Sequence, residues 1–309
     1  MSSTENRDAP MMVPVKSVFI SAPDGLKLHA RCYGPRAASD LPVVCLPGLA
    51  RTAADFEALA PTLADGGARR VIAIDYRGRG LSDYDRDPDN YNFQVELADV
   101  LAVLTALEAL PAIFIGTSRG GILTMLLAAQ RPTAIAGAVL NDIGPVLEQK
   151  GLLRIKSYVG KLPQPRNFEE GAEVLRRLFD AQFPKLTHED WLKSARRTFK
   201  EENGRLVPTY DVRLARTMEG VDLESPLPAL WKEFEALRAM PVLAIRGANS
   251  DLLSPTTVEA MAARHPGLAT FEVPDQGHAP LLAEPETIAR IADFVRDCAS
   301  ARHGVMSLS

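Results

Sequence analysis

The chain has 309 residues, 46% hydrophobic and 24% charged, with a net charge of −4 and a pI near 5.8. That length can bury a large core, and the composition is that of a folded globular protein. No basic surplus is present to hold a phosphate backbone, which argues against nucleic acid as a partner. Three cysteines (Cys32, Cys45 and Cys298) are an odd number without metal-ligand spacing, and Cys45 within "PVVCL" reads as a small buried hydrophobe. No apolar run reaches membrane-spanning length, and "MSSTENRDAPMM" lacks the apolar stretch of a signal peptide. A cytoplasmic protein without membrane attachment is the expectation.

Residues 1–12 are polar and expected to form a disordered tail. "SVFISAPDGLKLHARCYG" alternates, turns at Asp24-Gly25 and alternates again, the pattern of an antiparallel hairpin. From Pro42 onward, "PVVCL", "RRVIAID" and "PAIFIG" are short β-branched or apolar runs of the kind buried on both faces. Helical patterns separate them at about 55–64 and 93–110, the second with Val95, Leu97, Val100, Leu101, Leu104 and Leu107 mostly on one stripe. A further helix over 122–130 leads to the strand "AIAGAVL". This alternation indicates an α/β domain with a mostly parallel sheet and right-handed crossovers.

The alternation stops at "NDIGP". Residues 146–232 show no buried-strand runs and carry helical segments such as "EEGAEVLRRLFDAQF" and "HEDWLKSARRTFKEE". Strand grammar resumes with "PVLAIRG", followed by a helix over 255–264, "ATFEVP", and a last helix around 285–299, with a loose tail after Arg302. The expected organisation is an α/β core, 13–145 and 233–302, interrupted by a helical insertion over 146–232 after the sixth strand.

The stretch "AIFIGTSRGG" places Ser118 between Gly116 and Gly120. A G-x-S-x-G match gains meaning when it follows a strand and opens a helix, and here "AIFI" precedes it and "ILTMLLAAQ" follows. A nucleophile on so sharp a turn holds a strained backbone, so the positions two before and two after must be tiny. The turn also aims backbone N–H groups of the helix start at the space above the serine, where an oxyanion would form.

A serine hydroxyl needs a base, and five histidines are available. His29 lies in the hairpin, His188 at a helix start, His265 between a helix and a proline, and His303 in the tail. His278, in "VPDQGHAPLLAEP", follows the final strand at the sheet edge where catalytic groups of parallel sheets gather, and is the expected base. The third member should be a carboxylate that orients the imidazole. Asp251, in "PVLAIRGANSDLLSP", gives the order Ser118…Asp251…His278 and is the expected acid. Asp142, in "VLNDIGP", also ends a strand and is the alternative.

With these residues in hand the chain resembles the α/β-hydrolase fold superfamily, over roughly 14–145 and 233–300. "CLPGLARTAADF" is similar to its oxyanion loop, with Pro47 where histidine is usual, and "DYRGRGLSD" is similar to its strand-four signature. "GTSRGG", "RGANSD" and "GHAP" would supply elbow, acid and base, and the insertion falls where this superfamily places its cap. The resemblance implies an oxyanion hole from the backbone N–H groups of Leu49 and Arg119. Pro47 leaves the N–H of Leu49 in place, and an acid after the sixth strand also occurs in the superfamily. Ser118 argues against its epoxide hydrolases and haloalkane dehalogenases, which use an aspartate nucleophile.

The implied reaction is acyl transfer from a carboxylic ester or lactone to water through an acyl-enzyme, with no metal or organic cofactor and a small-molecule acyl substrate as the partner. A thioesterase, amidase, C–C bond hydrolase or acyltransferase, and a ligand-binding protein that keeps the fold, are the alternatives. Residues 146–200 hold 12 Lys+Arg against 7 Asp+Glu, and Arg51 and Arg119 flank the expected site. A carboxylate-bearing substrate clamped by these arginines, Arg51 above all, is one reading. Solvated helix faces and a pairing role for the arginines are the plainer one. Leu152, Leu153, Ile155, Tyr158, Phe179, Phe183 and Trp191 could line a pocket or form the insertion's own core.

Overall fold

A computed structural model of the chain describes residues 13–64, 67–219 and 227–306, with side chains through 300. The tail expected over 1–12, the side chain of His303 and part of the inserted segment lie outside what is described.

The strands are β1 (Val15–Ser21), β2 (Lys27–Tyr33), β3 (Val43–Leu46), β4 (Val71–Asp75), β5 (Ala112–Thr117), β6 (Ile135–Asn141), β7 (Phe199–Glu202), β8 (Arg205–Pro208), β9 (Val242–Gly247) and β10 (Leu268–Val273). The helices are α1 (Ala60–Leu63), α2 (Phe93–Ala106), α3 (Arg119–Gln130), α4 (Gln149–Tyr158), α5 (Phe168–Phe179), α6 (His188–Thr198), α7 (Arg216–Glu219), α8 (Trp231–Glu235), α9 (Pro255–Arg264) and α10 (Pro285–Met306).

Eight strands form one sheet in the order β1-β2-β4-β3-β5-β6-β9-β10. β1 and β2 pair antiparallel, β2 joins β4 antiparallel, and the remaining pairs are parallel. The central strands are buried on both faces, and their alternation divides one run between two cores. Val44, Leu46, Ile72, Ile74 and Phe114 face one cluster with residues of α2 and α3. Val43, Cys45, Val71, Ala73, Ile113 and Ile115 face the other, with residues of α1 and α10. Cys45 has no exposed surface, and burial pushes its thiol pKa well up, so it stays a protonated hydrophobe.

Turn chemistry sets the boundaries. Gly25 takes the left-handed φ of +86° that the β1–β2 turn demands. The helix expected over 55–64 is divided into a 3₁₀ turn, Ala53–Phe56, and α1, because Pro61 has no N–H and is tolerated only in a first turn. α2 ends at Ala106 rather than 110, with Glu108 at φ +52° just beyond. α10 continues past 299 and 302 to Met306.

Between β6 and β9 lie α4 to α8 and a two-stranded hairpin, β7–β8. The hairpin departs from the all-helical expectation. Asn203 and Gly204, at φ +53° and +73°, supply the two left-handed residues of a tight hairpin turn. That Asn-Gly pair was the readable signal. Ala172, Leu175, Phe183, Trp191, Ala195, Phe199 and Leu206 form a core of the segment's own, whereas Leu152 and Ile155 of α4 join the main core. Leu153 is exposed and belongs to neither. Among the described residues no helix is long and apolar enough to cross a membrane.

Candidate active site

Ser118 caps α3 at the end of β5 with φ 51° and ψ −112°, a backbone region that costs free energy for any side-chain-bearing residue. Its surroundings leave no room to relax. A Cβ at Gly116 would lie 2.5 Å from the Gly120 carbonyl, and one at Gly120 would lie 2.1 Å from the Leu46 carbonyl oxygen. The Ser118 N–H donates to the Asn141 carbonyl at 3.0 Å, and its own carbonyl accepts from Gly121 and Ile122. The turn is thus held against β6 on one side and the start of α3 on the other.

His278 stands in the loop after β10. That loop is tied down by Gln276, which accepts from the Leu281 N–H at 2.8 Å, and by Asn141 Nδ2, which donates to the Pro280 carbonyl at 3.0 Å. His278 Nε2 lies 2.9 Å from Ser118 Oγ, and Nδ1 lies 2.8 Å from Asp142 Oδ2. An ionised carboxylate can only accept, so Nδ1 carries the proton, and in the neutral ring Nε2 is left to accept from the serine hydroxyl.

Asp142 therefore takes the place expected of Asp251. It follows β6 directly at φ +54°, is fully buried, and its N–H donates to the Ile245 carbonyl of neighbouring β9. The Gly247 N–H donates to Oδ1 at 2.8 Å, and Ser250 Oγ donates to Oδ2 at 2.6 Å. Asp251 instead accepts from Arg154 Nε and Nη2 of α4, each at 2.7 Å. Burial alone would raise its pKa, but the hydrogen bonds and charge of Arg154, with smaller contributions from Gln182 and His278, together outweigh this and hold it below the usual carboxylate value. Arg154 comes from the inserted segment, a partner that the local sequence around Asp251 does not contain.

Of the other histidines, His29 is buried between Asp75 and Ser17, His188 sits exposed beside Glu169, and His265 bonds the Leu237 carbonyl. None of these approaches Ser118. Among the described residues no three metal-ligating side chains are gathered.

The loop after β3 brings Gly48 and Leu49 to the nucleophile. A Cβ built on Gly48 would lie 3.9 Å from Ser118 Cβ. Tyr76 Oη donates to the Pro47 carbonyl at 3.2 Å, and Arg79 Nε donates to the Leu49 carbonyl at 2.9 Å. Arg119, the first residue of α3, has an N–H that no carbonyl within the helix can accept. Its side chain turns away from the site: Nε donates to Glu96 Oε2 at 2.5 Å, Nη2 to the Tyr91 carbonyl, and the guanidinium lies over the Phe93 ring. Arg79 pairs with Glu96 from the other side at 2.7 Å. Burial would raise the Glu96 pKa, but the two guanidiniums overcome it and hold the carboxyl below its ordinary value of 4.5. Nothing in the local pattern of α2 singles out Glu96, because its partners come from two other segments.

A cavity opens over Ser118 and His278, walled by Gly48, Leu49 and Arg51 from the core. Ile155, Tyr158, Leu175, Phe179, Phe183 and Trp191 close it from the inserted segment. Leu175, Phe179, Phe183 and Trp191 therefore serve both readings, pocket wall and internal core, whereas Ile155 and Tyr158 wall the cavity from the main core. Arg51 is part of the wall, but its Nε donates to Asp55 at 2.8 Å and its Nη1 to Thr198 Oγ1 at 3.0 Å.

A family model described as "Alpha/beta hydrolase family" matches residues 43–291. A 3-hydroxybutyrate-oligomer hydrolase of Cupriavidus necator is 36% identical over 262 residues, covering 82% of this chain and 87% of the relative. An sn-1-specific diacylglycerol lipase of Mus musculus is 26% identical over 242 residues, covering 76% and 74%. Among solved structures, an alpha/beta hydrolase from Novosphingobium aromaticivorans superposes with a TM-score of 0.84 at 40% identity, covering 92% of this chain and 99% of that one. Sheet order, the serine turn at the end of β5 and these likenesses together place the chain in the α/β-hydrolase family.

Proposed function

We propose that the chain is a serine hydrolase that cleaves carboxylic esters through an acyl-enzyme, with Ser118 as nucleophile, His278 as base and Asp142 as the acid. The observation that carries this reading is the unbroken series Ser118 Oγ–His278–Asp142 at the floor of a cavity. Ser118 Oγ attacks the ester carbonyl while His278 Nε2 takes the hydroxyl proton. Asp142 stabilises the imidazolium, and the N–H groups of Leu49 and Arg119 receive the oxyanion. Collapse of the tetrahedral intermediate expels the alcohol, which takes the proton from His278. Water, deprotonated by the same ring, then releases the acid and restores Ser118. These steps need no cofactor.

The segment between β6 and β9 acts as a cap, since it supplies the apolar half of the cavity and so selects the substrate. Arg51 frames that cavity as a paired wall residue. The relative from Cupriavidus necator supports ester chemistry, because 3-hydroxybutyrate units are joined head to tail by carboxylic ester bonds. Hydrolysis of short esters followed by pH-stat tests the proposal: Ser118→Ala should lower kcat by about 10⁴-fold or more. Turnover undiminished in that variant would refute it.

A further inference from the structure

Apart from Ser118, His278 and neutral hydroxyls, the cavity over Ser118 is lined by a charged region formed by Arg51, Asp55, Ser194, Arg197 and Thr198. Two guanidiniums face a single carboxylate there. Arg51 engages both oxygens of Asp55, through Nε and Nη2, and spends Nη1 on Thr198. Arg197 is left with one long contact, Nη2 to Ser194 Oγ at 3.4 Å, and its Nε is buried with no hydrogen-bond partner. A guanidinium carries five N–H donors, and a buried donor without an acceptor is costly.

The surrounding charges do not make up the deficit. Burial lowers the Arg197 pKa most, the charge of Asp55 offsets part of this and the like charge of Arg51 lowers it again, so that it lies below the ordinary arginine value. Asp55, Glu57 and Asp190 act on it only at a distance. Arg197 also borders a neighbouring cleft, but that cleft is lined by Lys185 and Lys193 against Asp190, Asp275, Glu284 and Glu286, so it has no cationic surplus of its own. The unmatched charge in the reaction cavity is that of Arg197.

We propose that Arg197 binds a carboxylate of the substrate, so that the preferred substrates are esters carrying an acid group remote from the scissile bond. The planar fork of donors suits a carboxylate, and the apolar walls from Phe179, Phe183 and Trp191 take the chain between acid and ester. This rests on the ester-hydrolase reading of Ser118, and the test separates the two.

Monomethyl succinate, glutarate and adipate are compared with their ω-amides, which have the same shape without the charge. The wild-type protein should favour the acid over the amide at one or more lengths by about 10- to 100-fold in kcat/KM, the worth of a charge-assisted bond. Arg197→Met should remove that preference and leave the amides within about threefold, with Arg197→Lys between the two. Equal kcat/KM for acid and amide at every length, or a parallel loss on both in Arg197→Met, overturns the proposal. Calorimetry on Ser118→Ala reads the same site without turnover. Tighter binding of the acid than of the amide supports the carboxylate site even if neither ester is cleaved, an outcome that would sink only the hydrolase reading. Equal binding, or none, refutes the carboxylate site.

Discussion

Asp142 and Asp251 both follow strands that end at one edge of the sheet, and a few ångströms of loop geometry divide their tasks. Asp142 sits one residue past β6, where Gly247, Ser250 and His278 converge on its two oxygens. Asp251 lies four residues past β9 and turns to Arg154. Asp142→Asn should therefore lower kcat by about 10³- to 10⁴-fold, since an amide at that position favours the wrong imidazole tautomer. Asp251→Asn should keep kcat within about tenfold and lower thermal stability, because Arg154 loses the partner that offsets its burial, at a cost of about 3 kcal/mol. Steady-state kinetics and thermal unfolding of the two variants distinguish these roles. A collapse of kcat in Asp251→Asn alone would return the acid to Asp251.

At the scale of elements, the site depends on how closely α3 approaches the sheet. The serine turn is sharp because Gly120 packs against the backbone of β3, where a Cβ would meet the Leu46 carbonyl oxygen at 2.1 Å. Neither a rotamer change nor a neighbouring side chain can relieve a contact with backbone. Gly120→Ala should thus destabilise the fold by about 1–3 kcal/mol or more and pull Ser118 away from His278. Its midpoint in urea should fall and its kcat with it; a variant as stable as wild type would contradict the tight packing. The Arg79–Glu96–Arg119 cluster works across the same elements. It joins the loop after β3, the first turn of α2 and the start of α3, and so holds both peptides proposed for the oxyanion hole in fixed relation.

Over the whole molecule, the same cluster makes stability depend on pH. The folded-state pKa of Glu96 lies below its ordinary 4.5, so the ionised carboxyl stabilises the fold at every pH above that value. This contribution is lost as pH falls from 4.5 toward the depressed folded value, and Asp251 adds a loss of the same sign below 3.8. Urea midpoints measured from pH 7 to pH 3 should fall steeply in this window. In Glu96→Gln the midpoint at pH 7 should be lower and its decline below pH 4.5 shallower. An unchanged acid slope in that variant would mean that Glu96 contributes nothing as an anion.

All eight strands of the main sheet, the serine turn and the histidine loop could be read from the sequence, because each is written in local terms. Both-face burial shows as an unbroken apolar run, a tight turn as small residues at fixed offsets, and a strand-end loop by position alone. The β7–β8 hairpin was equally local, announced by Asn203-Gly204, and was missed because its strands are short and only one of the two has alternating burial. Other features depend on residues that meet only after the chain has folded. Which aspartate faces His278, why the Arg119 side chain turns to Glu96, and why Asp251 pairs with Arg154 were decided by side chains between 23 and 136 positions apart in sequence. Hydrogen bonds to a carboxylate are won by the donors nearest in space, and spacing along the chain does not record that distance.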